Sequence, residues 1–228
     1  MSLIELQPFT LEREWTVEGI PVLTARITLP EPAKTDTRIQ RRIRRYYHLQ
    51  QRAYLRYCEG FLLPLAETEF RAALASSAPL PCFRAELSYS IPFRNDRFLS
   101  LCTQSRESGL PWQRLLRCWG DTWDLAVGYL AALPSFFPPR SGWRKALRTH
   151  AEAEIRRQEA AGIARYHEGT ARLLRKYFNP RNFYLTPEGL AFFYPMHVIA
   201  PAVEGVPVFT LPFSEAGPCL PKEKEGRR

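Results

Sequence analysis

Four histidines, His48, His150, His167 and His197, and five cysteines, Cys58, Cys82, Cys102, Cys118 and Cys219, are the side chains best suited to metal or nucleophilic chemistry. Their spacing assembles neither. No HxH, HxxxH or CxxC pair occurs, so the clustered donors of a zinc site are missing from the pattern. His197 and Glu204 can meet across a loop, and Asp121 and Asp124 bracket Trp123 as a carboxylate pair. Residues three apart across a strand turn face each other only by accident, which argues against paired acid–base work. There is no Walker-type glycine loop, no GxGxxG dinucleotide fingerprint and no GxSxG nucleophile elbow. These readings predict no enzyme, no catalytic residue, no metal and no cofactor.

What remains is binding. Arg38, Arg41, Arg42, Arg44, Arg45, Arg52 and Arg56 form one run without an intervening acid, and Arg140 to Lys176 adds a second basic stretch, within a formal net charge of +9. Such a run is either the wet face of a helix or a docking surface for an acidic partner. Arg41, Arg45, Arg52 and Arg56 are the candidate partner-binding residues, with a protein as the partner. Nucleic acid is the weaker candidate, because the run lacks a helix-turn-helix, finger or RNA-binding motif. Trp112, Trp119, Tyr194 and His197 are candidates for stacking on a glycan. Against that stands the reading of Phe192, Phe193, Tyr194, Phe209 and Phe213 as core aromatics of paired strands.

The elements that must position these groups follow from hydropathy period. With 45% hydrophobic and 13% aromatic residues, the chain can bury a sizeable core. Glu18-Gly19 turns the chain between extended segments, and Val22 to Leu29 alternates as a strand. Thr35 or Asp36 caps a helix over Arg38–Phe61, with Ile39, Ile43, Tyr46, Ala53, Tyr57 and Phe61 as its apolar stripe, and Pro64 ends or kinks it. From Cys82 to Leu133 the period is two: Phe83 to Ile91 and Arg97 to Ser105 form one pair around Asn95-Asp96. "QRLLRCW" and "TWDLAVGYLAAL" form another around Gly120-Asp121. A helical stripe through Trp143, Leu147, Ala151, Ile155, Tyr166, Leu173 and Tyr177, broken at Gly162, covers that meander. Phe183–Tyr194 is a hairpin about Pro187-Glu188-Gly189 that adds to it. The predicted fold is α+β, with antiparallel sheets packed against helices. Its parts are a small N-terminal α/β part over 1–80, a larger α/β part over 81–215, and a charged tail over 216–228. No run reaches the length of a membrane span, and the start lacks a secretory h-region. With the unpaired cysteine count, this predicts a cytoplasmic protein as given; a chain that had lost an export segment would act outside the membrane.

"LTPEGLAFFYPMHVIAPAVEGVPVFTLPF" resembles the C-terminal domain of RsiV-like anti-sigma factors and of peptidoglycan deacetylase accessory regions. The resemblance rests on Gly189-Leu190, Phe192-Phe193, Pro195, Ala200-Pro201, Gly205 and Pro212-Phe213, with Met196 where tyrosine is usual. "WDLAVGYLAALPSFF", Trp123 to Phe137, is similar to that domain's aromatic-Asp-Leu-x-x-Gly turn, which makes Asp124 a turn-ordering residue. The resemblance covers roughly Cys82 to Phe213. It implies recognition of a protein or of cell-wall glycan, in an anti-sigma-like setting and in a Gram-positive bacterium, with no catalytic domain of its own.

Overall fold

The computed structural model describes residues 4–109, 115–214 and 217–220. β1 (Leu6–Val17) and β2 (Ile20–Pro32) form a hairpin in which Val17 pairs with Ile20. Glu18 and Gly19 take φ values of 52° and 79°. Positive φ at both central residues gives a two-residue turn the twist that flanking strands need. Along β2, Leu23, Ala25, Ile27 and Leu29 are buried while Arg26 is exposed, as the alternation requires.

α1 (Arg38–Tyr57) is capped by Thr37 and not by Thr35 or Asp36. Gln40 decides this. Its amide N–H donates to the Thr37 hydroxyl at 3.2 Å, and its side-chain oxygen accepts from the Thr37 N–H at 2.8 Å. Only Thr37 has a glutamine three residues on, so only there can a reciprocal box close. The buried row is Ile43, Tyr47, Gln51 and Tyr54, continued by Cys58 and Leu62. It is rotated from the predicted stripe: Ile39, Tyr46 and Tyr57 are half-buried, and Ala53 and Phe61 are exposed. The polar Gln51 in the core row and the adjacent Tyr46-Tyr47 concealed the true face. A π-helical turn over Cys58–Leu62 leads directly into α2 (Leu63–Ala75), so Pro64 does not end the helical path but stands in the first turn of α2, just after the change of pitch.

β3 (Phe83–Arg94), β4 (Phe98–Ser108), β5 (Leu115–Asp124) and the two-residue β6 (Tyr129–Leu130) follow β1 and β2 in a six-stranded sheet whose order is that of the sequence. β2 and β3 pair in parallel, with Leu23 opposite Phe83 and Ile27 opposite Leu87, so α1 and α2 form the crossover that a parallel pair needs. Gly120-Asp121 is not a turn. β5 runs straight through it, and the chain reverses at Leu125–Gly128 instead.

α3 (Trp143–Ala160) ends before Gly162, which has a φ of 65°, and α4 (Thr170–Lys176) follows. β7 (Phe183–Leu185), β8 (Gly189–Phe193) and β9 (Val208–Pro212) make a second, antiparallel sheet. The predicted hairpin about Pro187 is present, but it does not extend the meander, because β8 is paired on both edges, by β7 and by β9. Leu147, Ala151 and Ile155 of α3 share one core with Phe98, Phe136, Phe183, Phe192 and Phe209. Leu174, not Tyr177, is the buried residue of α4.

By compactness the chain divides into two units. One holds Met1–Ser90 with Thr103–Cys118; the other holds Ile91–Cys102 with Trp119–Arg228. The first contains α1, α2, β1 and β2; the second contains α3, α4 and the β7–β9 sheet. Among the described residues, no helix is long and apolar enough to cross a membrane.

Candidate functional site

α1 is twenty residues long and carries seven arginines and no carboxylate. Its rows are set by 3.6 residues per turn. Since Ile43, Tyr47 and Tyr54 face the core, Arg38, Arg41, Arg45, Arg52 and Arg56 share the opposite side, and all five are exposed. Arg44, on the flank, pairs with Glu31 at 2.6 Å. Arg41 donates to the Thr35 and Asp36 carbonyls at 3.4 and 3.2 Å. Among the described residues, no carboxylate pairs with Arg38, Arg41, Arg45, Arg52 or Arg56. Arg41, Arg45, Arg52 and Arg56, named from the sequence, are thus brought onto one face. Leu49, 52% exposed, lies among them.

The C-terminal end of α1 is clamped. Tyr57 donates its hydroxyl to Glu107 of β4 at 2.8 Å. Arg117 of β5 donates to the same hydroxyl at 3.1 Å and stacks over the ring at 4.7 Å. On its other side Tyr57 stacks on Phe61 at 5.5 Å, and Phe61 is 52% exposed. Glu107 is only 1% exposed, and its second carboxylate oxygen has no partner among the described residues. Burial raises its pKa above the ordinary carboxylate value, against the lowering effects of the Tyr57 hydrogen bond and of Arg117. Burial also pushes the Cys58 thiol up to about 12, helped by Glu107, so Cys58 is no nucleophile near neutral pH.

None of this cluster was legible as a site. Thr103, Ser105 and Glu107 alternate with Gln104 and Arg106, so both faces of β4 read as polar, and nothing in the spacing says which one is inside.

The raised Glu107 pKa has a sign. The unfolded chain loses this proton at lower pH than the folded one, so the contribution of Glu107 to stability is full below its unfolded pKa and is lost as pH rises through the folded pKa. Tyr54, Tyr57 and Cys58 face the carboxylate from the helix side and Arg117 faces it from β5, and none of them reverses the net shift. Glu107→Gln keeps an acceptor for Tyr57 and removes the charge. Urea midpoints are expected to favour the variant at pH 7.5, with the advantage shrinking towards pH 4. A difference that stays constant with pH contradicts the assignment.

The other sequence candidates are scattered. Asp124 orders a turn: its carboxylate accepts from the Ala126 N–H at 3.0 Å and from Arg97 at 3.1 and 3.3 Å, and its carbonyl accepts from Gly128 at 2.7 Å. That commits it to structure, as its motif implied. Asp121 is buried on the opposite face of β5, so the two make no catalytic pair. Glu204 accepts from the Arg165 N–H at 3.1 Å and does not engage His197. His197 is exposed, with a φ of 70°, and its carbonyl accepts from the ring of His167 at 3.2 Å. His150 donates to the Thr210 carbonyl at 2.8 Å, tying α3 to β9.

Of the glycan candidates, Tyr194 is corrected to a core residue. It is 1% exposed and donates its hydroxyl to the Leu174 carbonyl at 3.1 Å, which leaves no ring face for a sugar. Trp119 is 39% exposed on β5, and His197 is in the β8–β9 connection. Trp112 lies outside the described residues. Among those residues, no group of three His, Cys, Asp or Glu side chains is gathered to hold a metal ion.

Residues 134–214 match the profile of a family described as "Protein of unknown function (DUF3298)". That segment takes in α3, α4 and β7–β9 and leaves α1 outside. A solved structure of a DUF3298 family member from Bacteroides fragilis is similar at a TM-score of 0.67 and 12% identity, covering 92% of this chain and 90% of that one. A DUF3298 family protein from Pseudomonas aeruginosa PAO1 is similar at a TM-score of 0.54 and 13% identity, covering 92% and 91%. At such identities the likeness shows the fold. No curated protein matches the chain.

Proposed function

We propose that this chain is a non-catalytic recognition protein that binds an acidic partner protein through the outward face of α1. The observation that carries the reading is that face itself: five exposed arginines on a helix with no carboxylate anywhere along it. A helix that needed only a solvated surface would alternate signs and gain from i,i+4 pairs, whereas like charges at that spacing repel. Arginine at the helix start also opposes the macrodipole, and Arg38 and Arg41 stand there with no acid in the first turn. Local stability is given up along the whole face. An acidic partner would restore it, with the charges speeding encounter and fixing orientation while apolar contacts supply specific affinity. The resemblance to RsiV-like anti-sigma factors, whose domain recognises a protein, supports the same class of function.

The test is capture from native lysate at about 0.15 M salt, where long-range attraction between exposed charges is largely screened. Capture is repeated after nuclease and after muramidase, followed by titration of the identified protein in purified form. Arg41→Glu/Arg45→Glu is expected to weaken the purified pair at least about tenfold, equivalent to roughly 1.4 kcal/mol. Capture lost to nuclease selects nucleic acid, capture lost to muramidase selects glycan, and an affinity unchanged by the double reversal removes α1 as the site.

A further inference from the structure

We infer that the partner's binding element is itself an α-helix, acidic along one seam with an apolar residue at its centre, laid lengthwise on α1. The inference rests on the reading of α1 as the binding face and adds the form of its occupant. Arg38, Arg42, Arg45, Leu49, Arg52 and Arg56 follow one another at spacings of four, three, four, three and four, and all but the half-buried Arg42 are exposed. An unbroken alternation of threes and fours is the seam along which one helix packs another at a shallow crossing angle. At 1.5 Å per residue it runs roughly 27 Å. Every position on it is arginine except Leu49, the fourth of six.

Leu49 tells helical protein from polyanion. It is 52% exposed and stands between Arg45 and Arg52, where a phosphate chain lying along the row would press an anionic backbone onto a leucine. A helix answers that pattern directly, with carboxylates at its own three-four positions to meet the exposed guanidinium groups of Arg38, Arg45, Arg52 and Arg56 and one leucine-like side chain to cover Leu49. The flank beside it, with exposed Ala53 and half-buried Tyr46, gives such a side chain an apolar bed. Arginine suits the task, since its planar fork matches a carboxylate in two parallel hydrogen bonds.

The test uses the full chain and a defined probe. A 21-residue capped peptide of three heptads carries glutamate at its seam positions except for one central leucine, with alanine and glutamine elsewhere. It is titrated by fluorescence anisotropy at about 0.15 M salt against two comparators: a peptide with proline at two mid-chain positions, and a 20-nucleotide oligothymidylate. The helical peptide is expected to bind at least about tenfold tighter than the proline peptide, because only it can present the seam as one face. Leu49→Ser is expected to weaken the helical peptide at least about fivefold and to leave the oligothymidylate unchanged, since a leucine contributes no charge to phosphate binding. Equal binding of the helical and proline-broken peptides, or tighter binding of the oligonucleotide, overturns the inference. The two failures separate cleanly. If Arg41→Glu/Arg45→Glu abolishes the purified cellular complex but helix and broken helix bind alike, the face is correct and its occupant is not helical; if the reversal leaves that complex intact, the face itself is wrong.

Discussion

Gly120→Ala is expected to cost about 3–5 kcal/mol and to lower the melting temperature by about 10 °C or more. A β-carbon at Gly120 would sit 1.8 Å from the Phe183 carbonyl oxygen and 2.5 Å from its carbonyl carbon. These are backbone atoms and cannot swing aside as a side-chain end can. β7 is also held from two directions: it pairs with β8, and the Leu185 N–H donates to the Ser100 hydroxyl at 2.8 Å, which in turn bonds the Thr122 hydroxyl at 2.8 Å. Making room for one methyl therefore means shifting a strand whose Phe183 is buried among Phe98, Phe136 and Phe192. Gly60→Ala is the control. Nothing lies within 4 Å of its β-carbon, and alanine is the better helix former by about 1 kcal/mol, so that variant should be neutral or more stable. Thermal melts of both decide the matter, and a Gly120→Ala melt within 2 °C of the parent would show that β5 and β7 are not in this close contact.

Gly120 also shows why part of the fold was legible and part was not. Beside Asp121, in a chain rich in turn signals, a glycine reads as a reversal, yet here it serves the opposite need, a straight strand approached closely by another backbone. Spacing along one chain cannot report that approach. What the sequence could report was period and punctuation. The positive-φ hairpin at Glu18-Gly19, the break at Gly162 and the reversal before Gly189 each depend on residues a few positions apart, and each is present. The parallel pairing of β2 with β3 and the removal of β7–β9 into their own sheet depend on partners far along the chain. The candidate site divides the same way. The arginine row is a property of one helix and was visible as composition and period, whereas the Tyr57–Glu107–Arg117 clamp unites residues sixty positions apart at its widest. Tyr194 failed as a sugar platform because an aromatic repeat has the same signature in a core as in a groove, and only its burial against Leu174 separates the two.

The arginine face makes a prediction in which stability and binding part company. Arg38→Glu places a carboxylate in the first turn of α1, where the exposed N–H groups favour negative charge, and it removes one member of the like-charged row. The variant is expected to be more stable than the parent by about 0.5–1 kcal/mol. Arg56→Glu lies at the far end of the same face, where the chain runs on through the π-helical turn into α2, so no free helix end rewards or opposes the change and stability should stay within about 0.5 kcal/mol of the parent. Both changes remove positive charge from an exposed position, so both should weaken the partner, each by about threefold to tenfold, with the loss smaller at high salt. Urea midpoints at low and moderate salt read the first effect, and titration of the purified partner reads the second. A face that served only as solvated surface would let Arg38→Glu raise stability with no loss of affinity. The difference in stability also guards against a trivial result, because a binding defect shared by a stabilised variant and one of unchanged stability cannot be attributed to misfolding.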